Sequence, residues 1–280
     1  MRPTPKRLIL DLLSTAPTNG MPVAGIIAAG QLFGISGNNI RVTLARLRAG
    51  GMVEQDTRGH YRLAARAAAV GKQVIAWRTV EDRVHGWDGG WIGVHTAGVQ
   101  RSERRAHRHS TRALRFLGFE PLAAGLHLRP DNLVGGVAAV RQHLLDLGLD
   151  RKALVFRMHD LDSAAERRAR QLWNTAALRD GYRRSLIAVQ RSTARLATLP
   201  PHAALVESFE LGGRVIRQIV LDPLLPEPLV PTDERKALVT AMCSYDRVGR
   251  ACWSVFLRHA VAEPSASRRQ ATRGGQKDAA

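Results

Sequence analysis

Phe33-Gly34-Ile35-Ser36, followed by Gly37-Asn38-Asn39-Ile40-Arg41-Val42-Thr43-Leu44-Ala45-Arg46-Leu47, is the stretch on which the fold turns. Ile40, Leu44 and Leu47 recur at i, i+4 and i+7, which puts them in one apolar stripe of a helix opening at Ser36. The opposite side presents Asn38, Asn39, Val42, Ala45 and Arg46, with Arg41 and Thr43 on the flanks. Gly50-Gly51 ends this helix. Upstream, Thr4-Pro5 starts a first helix with Leu8, Ile9, Leu12 and Leu13 on one face, and Pro17, Asn19 and Gly20 break it. Val23, Ile26 and Ile27 begin a second helix that ends near Phe33-Gly34. Downstream, residues 52–57 and 60–63 form two short strands around Arg58-Gly59. Three helices followed by a hairpin predict a winged helix-turn-helix over residues 1–65.

The outward face of the third helix suits a DNA major groove. Asn and Arg pair bidentately with adenine and guanine edges, while Val and Ala touch a thymine methyl and let the helix approach closely. In helix-turn-helix proteins the contacts concentrate toward the N-terminal part of the second motif helix. Asn38, Asn39, Arg41, Val42, Thr43, Ala45 and Arg46 are therefore the candidate DNA contacts. Arg58 at the hairpin tip and His60 beside it would reach phosphate or the minor groove as a wing. The plainer alternative is an amphipathic helix whose polar side meets water, with Asn38 and Asn39 serving as first-turn residues near the Ser36 cap. Residues 1–63 hold eight Lys or Arg against three acids, Asp11, Glu54 and Asp56, which favours the nucleic-acid alternative.

The composition of the whole chain points the same way. Its 280 residues carry 42 Lys plus Arg against 24 Asp plus Glu, a formal charge of +18 and a pI near 11.4. Thirty-seven of the cations are arginine, which keeps its charge at any working pH and forks onto phosphate oxygens. A GC-rich genome accounts for part of the preference for Arg over Lys, but not for the excess over acids. An apolar content of 45% builds real cores, and only 5% aromatics with frequent Leu and Ala favours helix. Cys243 and Cys252 are the only cysteines, which leaves no disulfide framework or cysteine-type zinc set and fits a reducing, cytoplasmic setting. Asp11 interrupts the short apolar run near the N-terminus, so a secretory signal is not expected, nor is a membrane span.

Beyond residue 65 a helical connector is expected over 66–90. A strand at 91–96, a helix at 102–117, strands at 119–123 and 126–129, a helix at 133–147 and a strand at 154–159 follow. That βαββαβ order is the order of a ferredoxin-like domain, assigned to 91–162. Helices fill 163–262 as a C-terminal helical domain, interrupted by Pro200-Pro201 and the proline-rich stretch 222–231. Residues 263–280 are small, polar and basic, and read as a disordered tail. The fold class expected is mainly α with small β (α+β).

A family resemblance emerges from these landmarks. Lys6-Arg7-Leu8-Ile9-Leu10-Asp11-Leu12-Leu13, the Phe33-Gly34-Ile35-Ser36 turn, and Arg41-Val42-Thr43-Leu44-Ala45-Arg46-Leu47 ahead of Gly50-Gly51-Met52-Val53 resemble the N-terminal domain of PaaX-type repressors, regulators of phenylacetate catabolism. Trp87-Asp88-Gly89-Gly90-Trp91 resembles the start of that family's central domain. Leu117-Gly118-Phe119-Glu120-Pro121-Leu122 is similar to its helix-to-strand passage, and Asp222-Pro223-Leu224-Leu225-Pro226 to its C-terminal signature. The likeness spans about residues 4–260 and implies a homodimeric transcriptional regulator, usually a repressor, bound to an inverted-repeat operator in double-stranded DNA. It also implies a Cas2-like ferredoxin fold for the centre and an acyl-CoA or aryl-acyl-CoA thioester as effector. Residues 174–199 and the basic tail depart from the pattern.

A second feature is an arginine stripe. At 100° per residue Arg101, Arg104, Arg108, Arg112 and Arg115 share one helix face, with Ala106, Ala113 and Leu117 opposite. Like charges at i, i+4 repel by a few tenths of a kcal/mol per pair, so a phosphate-rich partner relieves strain. The stripe is a candidate phosphate or effector-binding surface; the alternative is a solvated face screened by salt or paired with Asp160 and Asp162. His107 and His109 diverge at i, i+2 and do not suit a shared metal. His159-Asp160 fits a strand-to-helix turn, and Trp173, Tyr182 and Trp253 fit helical cores. No cofactor, metal or catalytic residue is assigned. A metal-dependent nuclease on the central domain is one competing class, although its first strand ends in His95-Thr96-Ala97-Gly98 without a carboxylate. A basic protein binding nucleic acid without sequence preference is another, and neither displaces the non-enzymatic regulator as the expectation.

Overall fold

Thr4 Oγ1 accepts a hydrogen bond from the Arg7 amide at 3.3 Å, and Pro5 follows it as the first residue of helix α1 (Pro5–Thr15). Strand β1 (Met21–Pro22), α2 (Val23–Leu32), α3 (Gly37–Ala49), β2 (Val53–Gln55) and β3 (His60–Leu63) come next. The computed structural model describes residues 3–15, 20–65, 76–96 and 104–274. Between α2 and α3 the amide of Gly34 bonds Gln31 O and that of Ile35 bonds Gly30 O, both at 3.0 Å, which closes a Schellman turn. Gly34 sits there at φ +72°, a left-handed conformation that a Cβ would penalise. Ser36 Oγ then accepts from the Asn39 amide at 3.3 Å to cap α3.

Leu8, Ile9, Leu12 and Leu13 of α1 and Ile40, Leu44 and Leu47 of α3 are buried in one core with Ile26, Ala29, Phe33 and Val53. The three strands form an antiparallel sheet in the order β1-β3-β2, with Met21 opposite Tyr61 and Val53 opposite Leu63. The strand at 21–22 is not legible from periodicity, being two residues long.

The second sheet belongs to β4 (Trp91–His95), β5 (Glu120–Ala123), β6 (Leu126–Pro130) and β7 (Leu154–Met158). Helix α4 (Arg104–Phe116) lies between β4 and β5 in sequence, and α5 (Gly136–Asp146) between β6 and β7. The spatial order is β5-β6-β4-β7, every neighbouring pair antiparallel. Strand β4 is central and buried from Trp91 to Val94. Its Trp91 faces a cluster of Leu128, Ala169, Trp173, Leu225 and Val230, with the Trp91 and Trp173 rings stacked at 6.2 Å. Helices α6 (Ser163–Arg170), α7 (Thr175–Leu196), α8 (Pro201–Val220) and α9 (Asp233–Gly274) complete the chain. The architecture is thus mainly α with two small antiparallel sheets.

Three expectations change. Residues 1–76, 188–214 and 242–280 form one unit, and 77–187 with 215–241 a second, so 163–262 is not a separate helical domain. The cause is where the apolar faces find partners: Val206, Phe209, Trp253, Phe256 and Leu257 pack on the core of α1 to α3, whereas Leu225 and Val230 pack on the four-stranded sheet. In the connector expected at 66–90, residues 66–75 lie outside the described residues. Ala76–Arg83 is two short 3-10 turns joined by a kink at Thr79 (φ −113°), and Trp77 and Val80 on either side of the kink are both buried. Last, α9 continues to Gly274, through residues 263–274 that the composition assigns to a tail; residues 275–280 lie outside the described residues.

Two buried arginines organise the second unit. Arg129 is 1% exposed, and Nε bonds Pro130 O at 3.1 Å while Nη2 reaches Asn132 Oδ1 at 3.1 Å and Pro223 O at 3.4 Å. Its Nη1 donates to Leu117 O, and Asn132 Nδ2 donates to Leu224 O at 2.8 Å. Burial, with repulsion from Arg83, pulls the Arg129 guanidinium down to about 9, which leaves it charged at neutral pH. Arg235 is clamped by both Glu81 oxygens at 2.8 and 3.1 Å and donates to Leu225 O at 3.0 Å. Burial pushes the Asp222 carboxyl up, against the opposing pull of Tyr182 and Arg235, and its Oδ1 accepts from the Leu224 amide at 2.8 Å.

These groups fasten residues 222–226 to the end of α4. Gly118, at φ +72°, lies so close that a Cβ on it would stand 2.6 Å from Pro223 Cα, and its carbonyl accepts from Trp173 Nε1 at 3.1 Å. Gly118→Ala is expected to cost about 2 to 4 kcal/mol through left-handed strain and backbone overlap together. Urea unfolding checks this, and an unchanged midpoint would contradict the packing described.

Candidate nucleic-acid interface

Helix α3 is two-sided in the strict sense that its apolar stripe is almost inaccessible and its polar side is open. Ile40 and Leu44 are fully buried and Leu47 nearly so. Asn38, Asn39, Arg41, Val42, Ala45 and Arg46 are exposed, and Thr43 is half-buried. Val42 is 40% exposed, which leaves its methyl groups accessible to a partner. Among the described residues no acid pairs with Arg41 or Arg46. Acidic residues are also absent from the first turn of α3, where the helix dipole favours an anion.

The candidate contacts do not all have the same freedom. The Thr43 hydroxyl donates to Asn39 O at 2.7 Å and lies 3.5 Å from Asn39 Oδ1, so it is engaged within its own helix. This makes Thr43 a flank and Asn38, Arg41, Val42 and Arg46 the open positions. Arg48, on the same helix, donates to Gln55 Oε1 on β2 at 2.9 Å and ties helix to hairpin.

At the hairpin tip Asp56 is the organising residue, which pattern reading missed. Its Oδ1 accepts from the Arg58 amide at 2.9 Å and the His60 amide at 2.8 Å, while its own amide donates to His60 O at 2.9 Å. Its presence two residues before Arg58-Gly59 is the local Asx-turn signal that could have identified it. The Arg58 side chain is exposed at the tip. His60 is half-buried with Nδ1 3.7 Å from Asp56 Oδ1, too far for a hydrogen bond, so its ring is turned into the turn. On β2 and β3, Arg62 and Glu54 pair at 3.1 Å across the hairpin.

The module is seated on the rest of its unit. Phe33, the last residue before the turn, stacks at 6.5 Å on Trp253 and meets Phe209 at 5.1 Å. Ser192, Glu207 and Tyr245 form a hydrogen-bonded group between α7, α8 and α9, with Ser192 Oγ 2.8 Å from Tyr245 Oη and Arg195 holding Glu207 at 2.8 Å. Burial raises the Tyr245 phenol, with the Glu207 charge adding to the effect and the Ser192 hydrogen bond opposing it.

In the second unit Arg108, Arg112 and Arg115 are exposed on α4, while Ser110, Ala113 and Leu114 are buried. Arg101 lies outside the described residues, and of Arg104 only its place in α4 is described. Asp162 caps α6 through the Ala164 and Ala165 amides at 2.8 and 2.9 Å, and so is engaged locally rather than with the stripe. Trp173 and Tyr182 are buried, and Trp253 packs on the core of α1 to α3. Among the described residues no group of three or more His, Cys, Asp or Glu is gathered for a metal, and no helix is long and apolar enough to cross a membrane.

No family model matches the sequence, and no curated protein matches it. Among solved structures the chain is similar to "Uncharacterized protein Rv0674 from Mycobacterium tuberculosis", with a TM-score of 0.62 and 19% identity over 92% of this chain and 98% of that one. At that identity the likeness concerns the fold alone.

Asp56 carries a lowered carboxyl pKa, set first by the His60 amide bond and then by the Arg58 amide. A lowered folded-state pKa stabilises the tip above the ordinary carboxyl range, about 3.9, and the contribution is lost as pH falls through the folded value. Protection factors of the Arg58 and His60 amides, measured against intrinsic exchange at each pH, are expected to fall in Asp56→Ala at neutral pH, and in the wild type only once pH falls below that range. Equal protection in the variant and the wild type would remove Asp56 from this role.

Proposed function

We propose that the chain is a sequence-specific regulator of transcription that binds double-stranded DNA through α3, the recognition helix of a winged helix-turn-helix. More particularly, it acts as a PaaX-like repressor, a homodimer on an inverted repeat. The observation that carries this is the exposed, acid-free face of Asn38, Asn39, Arg41, Val42, Ala45 and Arg46, held outward by the burial of Ile40, Leu44 and Leu47. Supporting it are the short Schellman-closed turn between α2 and α3 and the β2–β3 hairpin with Arg58 at its tip. The strand order β5-β6-β4-β7 with βαββαβ connectivity supports a ferredoxin-like, Cas2-like second unit.

The chemistry follows from the residue types. The N-terminal half of α3 enters the major groove, where Arg41 and Arg46 fork onto guanine O6 and N7 and Asn38 or Asn39 onto adenine N6 and N7. Val42 and Ala45 lie against thymine methyls and permit close approach. Arg58, with His60 beside it, takes a phosphate or the minor groove, while Asp56 holds the wing in shape and Thr43 stays on the flank of the helix. Release requires an effector that binds a DNA-incompetent state more tightly. An acyl-CoA or aryl-acyl-CoA thioester in that role rests on the PaaX resemblance.

Selection of bound duplexes from a random pool supplies the operator. Arg46→Ala is then expected to weaken binding to it by about 1 to 3 kcal/mol and to relax preference at one base position. Unchanged operator affinity in the folded variant removes Arg46 from base reading. Equal affinity of the wild type for selected and scrambled duplexes at the same salt overturns sequence-specific recognition altogether.

A further inference from the structure

Helix α4 is the most one-sidedly charged element of the second unit. It buries Ser110, Ala113 and Leu114, with Leu117 just beyond its end, while Arg108, Arg112 and Arg115 stand exposed on the other side. No acid lies within the helix, and among the described residues none of these three guanidiniums has an ion-pair or hydrogen-bond partner. Neighbouring loops do not neutralise the row. The loop after α5 docks on α4 through the Asp150 amide, which donates to Ser110 Oγ at 3.1 Å, and through Gly148 against His109. That loop brings exposed Arg151 and Lys152 with it, and Asp150 Oδ1 is occupied by the Lys152 amide at 2.8 Å. Asp146, the other acid nearby in sequence, accepts from Gln142 at 2.9 Å.

Arginines at i, i+4 and i+7 repel one another, and the helix tolerates them only because solvent and salt screen the charge. From Arg108 to Arg115 they run about 10 Å along the axis at 1.5 Å per residue. They stand on a convex helix surface, whereas sites for small ligands are concave. A linear, outward cationic row fits a linear polyanion, and duplex DNA presents one charge about every 1.7 Å of its axis.

We propose that this α4 face binds the phosphate backbone of double-stranded DNA without regard to sequence, as a contact separate from the α3 interface. It supplies affinity and salt sensitivity, and α3 supplies discrimination. The inference does not depend on α3 reading bases, because its probe is a duplex without an operator.

The experiment uses the full-length protein, a random-sequence 30-base-pair duplex and titrations across a KCl series. Arg108→Gln, Arg112→Gln and Arg115→Gln together are expected to lower the slope of log affinity against log salt by about 2 to 3, at roughly 0.9 for each phosphate no longer neutralised. Affinity at the lowest salt falls tenfold or more. The matching triple Arg→Lys variant keeps the charges and retains most of the slope, which guards against a folding defect in the Gln variant. The same substitutions in an Arg41→Ala, Arg46→Ala background show the loss again if the two faces act separately. An unchanged slope in a folded triple Gln variant overturns the proposal. So does a variant that loses free coenzyme A binding by calorimetry while holding the duplex as before, which would make the face a small-ligand site.

Discussion

The anchoring of α3 through Ile40, Leu44 and Leu47 is the interaction on which the candidate surface rests. These three side chains reach the core of α1 and α2, and their burial fixes the rotation of the helix about its axis. Side chains on the opposite side of the helix from this stripe cannot then turn inward, so Asn38, Val42, Ala45 and Arg46 are held at the surface by packing on the far side. Moving the register by one residue would bury an arginine and expose a leucine, at a cost no nearby acid offsets. The polar face is therefore preorganised by apolar contacts.

That anchor is itself supported from a distance in sequence. Phe33 leads into the turn before α3 and is held between Phe209 and Trp253, which arrive from α8 and α9. The three-helix module does not close its core alone, because Val206, Phe256 and Leu257 complete one side of it. A ligand or partner that shifts α8 or α9 within this unit thereby acts on the seat of α3 through packed side chains rather than through a flexible tether.

The second unit solves a different problem, the fastening of an irregular segment to a sheet. Residues 222–226 carry few backbone hydrogen bonds of their own, and Arg129, Asn132 and Arg235 satisfy the carbonyls of Pro223, Leu224 and Leu225. A guanidinium can serve several carbonyls at once, which a lysine cannot match in geometry. Its burial is expensive, and Glu81 neutralises Arg235 while Arg129 depends on carbonyl oxygens and the field of Asp131. The exposed arginines of α4 and the buried arginines of the sheet thus share a residue type and nothing else.

Much of this was legible from local pattern. The apolar spacing in α1 and α3, the glycine followed by an apolar residue after α2, α3, α4 and α5, and the Thr4 and Ser36 caps specify their elements through contacts a few residues apart. Nearest-neighbour chemistry of that kind is written in the chain, and so the mainly helical class and the outward side of α3 could be read from it. What only the tertiary structure decided involves partners far apart in sequence: Phe33 with Trp253, Arg235 with Glu81, Gly118 with Pro223. Apolar faces and buried charges accept any complementary partner, so their spacing announces that one is needed without naming which. For that reason the helices of 163–262 read as a domain of their own, although they are divided between two units by the cores they complete.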